Sequence, residues 1–95
     1  MSISDWTPIN RNTLIGAFVL TLPCGLIING CMAHRKNESE WISLPGAPQV
    51  DRDGATKRGA DGKVLYKTII RFADKAIYEK FQDPILKELR RLGHI

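Results

Sequence analysis

The sequence is poor in the residues that build catalytic and metal centres. It has two histidines and two cysteines among its 95 residues. No nucleophilic side chain lies in a sequence pattern that would pair it with His34 or His94 as its general base. Cys24, Cys31 and His34 could be read as zinc ligands, but their spacing matches no common zinc motif and a fourth ligand is missing. We therefore predict neither an enzyme nor a protein that binds a metal or a cofactor.

Charge is absent from residues 14 to 33, and the run is long enough for a membrane helix. Pro23 and Gly25 in its middle are typical of a turn. β-Branched residues lie on both sides of this turn, and Asn29 would leave an unpaired amide in the hydrocarbon of a bilayer. We therefore predict a β-hairpin here and no membrane segment, with the membrane helix as the alternative.

The hairpin strands are apolar on both faces. Large residues alternate with smaller ones from Thr13 to Leu22. In the second strand, strict alternation would separate Leu26, Ile28 and Met32 from Ile27, Asn29, Cys31 and Ala33. Because a strand exposed to water needs only one apolar face, we predict that part of the second face is buried in a homodimer.

Turn residues and helical periodicity define the other elements. We predict an edge strand from Ile3 to Ile9, a strand from Glu40 to Leu44 and a last strand from Val64 to Phe72. A helix over residues 74 to 92 follows, with Asp74 as N-cap and Gly93 closing its C-terminal end. Its apolar stripe consists of Ile77, Phe81, Ile85, Leu89 and Leu92. Pro84 either kinks this helix or restarts it with Asp83 as N-cap. The predicted fold is one α+β domain, an antiparallel sheet of four or five strands followed by a C-terminal helix.

The positive charge is concentrated in the second half of the chain. Residues after 50 carry 11 basic and seven acidic side chains, which account for the whole net charge of +4. Residues 49 to 63 are rich in glycine and aspartate and predict a long, mobile, basic loop, either functional or disordered. An excess of positive charge in one half of the chain is typical of a protein that binds a polyanion such as nucleic acid. The candidate phosphate contacts are Arg52, Lys57, Arg58, Lys63, Lys67, Arg71, Lys87, Arg90 and Arg91.

Simpler interpretations of these cations stay open. Lys67 and Arg71 would share one face of the last strand, which could be an ordinary solvated face. The trio of Lys87, Arg90 and Arg91 could complement the dipole at the C-terminal end of the helix.

Short motifs along the chain occur in the order of the predicted strands and helix. They are Ile3–Asp5, Asn12–Thr13, Phe18–Leu22, Trp41–Gly46, Asp53–Gly54 and Gln82–Leu86. In this order they resemble the SpoVG family of small bacterial sporulation and septation regulators, and the architecture is more loosely similar to the Whirly class of single-strand binders. The family resemblance implies a domain that dimerises through its sheet and binds nucleic acid. The family carries basic residues directly after its Pro-Ser turn, where this chain has Ala47, Pro48 and Gln49.

We therefore expect a cytoplasmic, homodimeric, nucleic-acid-binding regulator that does not use a membrane. Residues Ser2 to Trp6 show neither the basic nor the apolar region of a secretory signal. Trp41 and Tyr66 would stack on single-stranded bases if they are exposed, and otherwise belong to the core. The alternative is a protein-interaction or structural dimer whose charges only keep it soluble. The choice between DNA and RNA, and between single and double strands, stays open.

Overall fold

The computed structural model describes residues 1–95 and contains six strands and one helix. The elements are β1 (Ser2–Arg11), β2 (Leu14–Thr21), β3 (Ile27–Lys36), β4 (Ser39–Ser43), β5 (Gly46–Pro48), β6 (Tyr66–Thr68) and α1 (Lys75–Arg91). Strands β1 to β4 form an antiparallel sheet in sequence order, and β5 pairs with β6 in a separate two-stranded sheet. The predicted α+β class with a C-terminal helix is confirmed.

The uncharged run forms the hairpin of β2 and β3, as predicted. The turn between the strands is closed by a hydrogen bond of 2.8 Å from the Leu22 N–H to the Leu26 carbonyl. Gly25 has a φ of +93°, a conformation that favours glycine, so the Pro-x-Gly pattern marks this turn correctly. No helix of the structure combines the length and the hydropathy that crossing a membrane requires.

A β-bulge at Gly30 changes which residues of β3 face the core. Phe18 pairs with Cys31 while Leu20 pairs with Ile28, so β3 holds one residue more than β2 between these pairs. The φ of Gly30 is +79°, which suits glycine at such a bulge. As a result, Ile28 and Cys31 are both buried, and the predicted grouping of Ile28 with Met32 is wrong.

Helix α1 lies across one face of the sheet and closes the core. The buried core residues are Phe18, Leu20, Ile28, Cys31, Ala33, Ile42, Ile85, Leu86 and Leu89. Ile85 and Leu89 of the predicted stripe are fully buried, whereas Ile77 is 47% exposed and Leu92 is 39% exposed. The two ends of the predicted stripe therefore lie outside the core.

Both ends of α1 are capped by the predicted residues. The Asp74 carboxylate accepts the Ile77 N–H at 2.9 Å, which makes Asp74 the N-cap. At the other end, Gly93 has a φ of +81° and donates its N–H to the Arg90 carbonyl at 3.0 Å. The helix runs through Pro84 as one element, so of the two alternatives the restart with Asp83 as N-cap does not occur.

Side chains of α1 bind the backbone of the edge strand β4. The Ile42 N–H donates to the Gln82 side chain at 3.1 Å, and the Tyr78 hydroxyl donates to the Ile42 carbonyl. Glu40 of β4 is paired with Arg90 of α1 at 2.8 Å. These bonds occupy backbone groups that an edge strand would otherwise leave free for pairing with another chain.

Residues 46–72, here called the arm, leave the main sheet after β4 and return to the start of α1. Their only regular strands are β5 and β6, so the predicted strand from Val64 to Phe72 is wrong outside Tyr66–Thr68. Its partner β5 has three residues, and Thr68 pairs with the first of them, Gly46. The residue before Gly46 is Pro45, which has no N–H to extend the ladder beyond Thr68. Beyond Thr68 the chain has no strand to pair with, so Lys67 and Arg71 do not share a strand face.

The predicted loop over residues 49–63 contains two hydrogen-bonded turns. Val50 bridges to Thr56 around the first turn, and Arg58 bridges to Val64 around the second. Between them, Lys57 donates its N–H to the Gln49 carbonyl at 2.8 Å, and its carbonyl accepts the Leu65 N–H at 3.0 Å. The backbone therefore has defined partners through most of this segment.

Candidate nucleic-acid interface

The structure divides the predicted cationic residues into two groups. The first group lies along the arm and is exposed to solvent: Arg52, Lys57, Arg58, Lys63, Lys67 and Arg71. None of these side chains forms an ion pair with a carboxylate of the chain. Their charges are therefore available to an external anion without first breaking an internal ion pair.

The second group, at the C-terminal half of α1, is paired with carboxylates. Lys87 lies 3.0 Å from Asp83, and Arg90 lies 2.8 Å from Glu40. Arg91 donates several hydrogen bonds to the Glu88 carboxylate. A phosphate would have to compete with these partners, so the helix trio is a weaker candidate than the arm.

Most of the net charge of the chain belongs to the arm. Residues 46 to 72 contain six cationic side chains and three aspartates, a net charge of +3 out of +4 for the whole chain. Two of the aspartates are used in turns, since Asp51 accepts the Ala55 N–H at 3.0 Å and Asp61 accepts the Lys63 N–H at 3.0 Å. The carboxylates therefore shape the turns while the cations project from them.

The turns spread the cations along the arm. Arg52 lies in the first turn, Lys57 at the junction and Lys63 in the second turn. Arg58 donates a hydrogen bond of 2.9 Å to the Gly62 carbonyl across the second turn, which limits the freedom of its side chain. The cations are therefore distributed over both turns of the arm and the segment between them.

A cavity of about 640 Å³ lies where the arm meets the main sheet. Trp41 and His34 line its sheet side, and Tyr66, Lys67 and Arg71 line its arm side. Phe72 and Tyr78 complete the wall near α1. The lining includes two cations and no carboxylate, so the cavity has the same sign of charge as the arm.

The aromatic side chains at this cavity lie outside the core. Trp41 is half-buried and stacks on His34, with ring centroids 5.4 Å apart and planes 5° apart. Tyr66 is 64% exposed. Neither belongs to the buried core cluster, so the interpretation of these two residues as core aromatics is wrong.

Two hydroxyl groups hold the His34 ring in place. Its Nδ1 lies 3.1 Å from the Thr13 hydroxyl, and its Nε2 lies 2.9 Å from the Ser43 hydroxyl. Burial lowers the pKa of His34, which favours a neutral imidazole at neutral pH. The imidazole therefore supports the indole of Trp41 as a fixed, uncharged ring.

The three candidate zinc ligands, Cys24, Cys31 and His34, lie in different environments. Cys31 is buried in the core, and burial raises the pKa of its thiol to about 11, so it stays protonated. Cys24 is exposed in the hairpin turn, and His34 is held by its two hydroxyl partners. No group of three His, Cys, Asp or Glu side chains in the structure could hold a metal ion.

The sequence patterns missed part of the cavity wall. His34, Phe72 and Tyr78 line the cavity but were not predicted as interface residues. The alternation of Trp41, Ile42 and Ser43 carried a usable signal, because a core residue at Ile42 directs both of its neighbours to the opposite face. No comparable signal exists for Phe72, since its position depends on where the arm returns.

Comparisons with known proteins do not assign this chain to a family. No model of a known protein family matches the chain, and no curated protein matches it either.

Proposed function

We propose that the protein is a cytoplasmic nucleic-acid-binding regulator that acts as a homodimer and contacts phosphates through the arm. The observation that carries this proposal is the group of six exposed arm cations with no carboxylate partner. Neutralising phosphates with such cations releases counterions from the nucleic acid, which is the main source of sequence-independent affinity. The resemblance of the short motifs to the SpoVG family agrees with this function.

The sheet face opposite α1 supports the homodimer. Ala17 and Val19 of β2 lie on this face, the helix does not cover it, and neither residue lines the cavity. Leu26 and Ile27 at the hairpin end are 56% and 58% exposed. A second copy of the chain would remove these apolar groups from water, and self-association is a natural supplement for a domain of this size.

A protein-interaction role is the second candidate, because the arm also exposes apolar side chains. Leu65 and Ile70 are each 41% exposed, and Ile69 is 62% exposed. These residues lie close in sequence to Lys67 and Arg71, so a protein with an acidic, apolar surface would fit the same part of the arm. Such binding would not require nucleic acid.

A salt titration tests the phosphate contacts. Binding of labelled single- and double-stranded DNA and RNA is measured by fluorescence anisotropy at several salt concentrations. Six phosphate contacts predict a slope of about −4 to −5 for log affinity against log salt. Replacing Lys57 and Arg58 together by alanine is expected to weaken binding to all sequences and to make the slope shallower by about 1.5 to 2.

The matched control removes two cations that already have carboxylate partners, Lys87 and Arg91. This double alanine variant is expected to keep the salt slope of the parent protein. If the control variant lost the slope and the arm variant kept it, the helix trio would be the contact surface. Absence of binding to all four probes would refute the nucleic-acid proposal and leave the protein-interaction candidate.

A further inference from the structure

The cavity between the arm and the main sheet has the chemistry of a nucleobase site. Its volume of about 640 Å³ lies within the range of about 300–1,000 Å³ that is usual for small-molecule sites. Eight of its 15 lining residues are hydrophobic, and the others include hydroxyl groups and two cations. Such a mixture suits a flat ring that carries a negative group at its edge.

Trp41 offers the ring surface on which a base would stack. The imidazole of His34 lies parallel to the indole and is fixed by Thr13 and Ser43. The indole is therefore oriented before any ligand arrives, and little side-chain entropy remains to be lost on stacking. Stacking on an aromatic ring tolerates every base, since each base has a π-face.

Lys67 and Arg71 place positive charge at the same cavity. Both side chains are exposed, and neither has a carboxylate partner in the chain. No acidic residue lines the cavity to offset them. An apolar peptide segment would leave this charge unmatched, whereas a nucleotide would present phosphate to the cations and its base to the indole.

We propose that this cavity takes one unpaired base of a single-stranded nucleic acid, with the base on Trp41 and the adjoining phosphates on Lys67 and Arg71. This inference rests on the proposed function and specifies that the nucleic acid is single-stranded. A base inside a duplex is stacked on its neighbours and cannot enter the cavity. The protein would therefore bind a single strand more tightly than a duplex with the same number of phosphates.

The test compares strands that differ only in their bases. An oligothymidylate of about ten nucleotides, an abasic strand of the same length and a duplex are titrated against the full chain. We expect the oligothymidylate to bind about tenfold or more tighter than the abasic strand. In a Trp6→Phe variant, Trp41 is the remaining tryptophan, and its fluorescence is expected to fall when oligothymidylate binds but not when the abasic strand binds.

Trp41→Leu is the decisive variant, because it keeps apolar bulk and removes the ring. Trp41 is not part of the core cluster, and thermal unfolding checks that the variant is folded. We expect the preference for oligothymidylate over the abasic strand to fall to within about twofold, while the salt slope set by the arm is kept.

Three outcomes would overturn the inference. If both strands bound equally with the salt slope of the arm, the proposed function would stand and the base site would be wrong. If no strand bound, both proposals would fail. If Trp41 fluorescence changed with protein concentration in the absence of any strand, a second copy of the chain would be the occupant of the cavity.

Discussion

At the scale of single residues, Gly16 is required by the packing of Trp6. A Cβ atom on Gly16 would lie 2.3 Å from ring carbons of Trp6, far inside van der Waals contact. Trp6 in turn stacks on His94, with centroids 4.6 Å apart, and thereby connects the edge strand β1 to the residues after α1. The missing side chain at one position thus lets an indole approach the backbone of β2 closely.

The Gly16→Ala variant is expected to lower the free energy of unfolding by about 1–3 kcal/mol, because the added methyl group overpacks the Trp6 site. Chemical denaturation measures this loss. A Trp6→Leu change should relieve the clash, so the double variant is expected to lose less than the sum of the single changes. A fully additive result would show that the ring does not contact Gly16.

The His34 imidazole predicts a pH dependence of stability. Its pKa is lowered in the folded state, so the unfolded chain binds more protons as pH falls below the ordinary value of about 6.5. Stability is therefore complete above that pH and decreases as pH falls towards the folded pKa. Thermal unfolding across this range measures the effect.

His34→Gln provides the control, because glutamine can keep hydrogen bonds to Thr13 and Ser43 but does not titrate. Glu40 also has a lowered pKa, caused by hydrogen bonds from Arg35 and Arg90, and it titrates in a lower pH range. We expect the variant to lose the decline just below pH 6.5. An unchanged decline would assign it to another group.

At the scale of elements, the docking of α1 depends on the middle and the C-terminal part of its apolar stripe. Leu89 is fully buried, so Leu89→Ala is expected to cost about 2–5 kcal/mol of unfolding free energy through lost burial and a cavity. Ile77 is 47% exposed, and Ile77→Ala is expected to cost less than about 0.5 kcal/mol. Urea denaturation of both variants distinguishes this docking from one that uses the whole stripe, in which the two losses would be similar.

At the scale of the whole molecule, the arm makes the chain more extended than a compact domain. The radius of gyration is 14.7 Å, whereas a compact chain of this length would have about 12 Å. The arm adds charge and surface but contributes nothing to the buried core, whose residues come from β2, β3, β4 and α1. The proposed phosphate contacts and the buried core therefore lie in different parts of the chain.

The proposed homodimer predicts that a charge on the uncovered sheet face will separate the subunits. Val19→Glu places a carboxylate at the middle of that face, and we expect sedimentation to show a monomer where the parent protein is a dimer. Ala76→Glu adds the same charge at an exposed position of α1 and is expected to remain dimeric. A parent protein that sediments as a monomer at micromolar concentration would contradict the homodimer.

Features of the fold that depend on neighbouring residues can be predicted from the sequence, whereas those that depend on distant contacts cannot. The hairpin turn at Gly25, the N-cap at Asp74 and the helix end at Gly93 follow from neighbouring residues and were predicted. The Lys87–Asp83 pair has helical spacing, but Arg90 pairs with Glu40 across 50 positions, and no sequence pattern indicates that contact. The last strand was predicted too long because alternation describes one strand and not the length of its partner.

Because Gly46 pairs with Thr68, residues 47–67 of the arm form a segment that can be replaced by another. Directly paired residues have Cα atoms about 4.5–5.5 Å apart, so the two ends of the intervening segment are close enough to be joined by a tight turn. An engineer could excise residues 47 to 67, or splice in a segment of another length, without lengthening or shortening the path to α1. Such insertions and deletions would change the set of exposed cations while the four-stranded sheet and α1 stay the same.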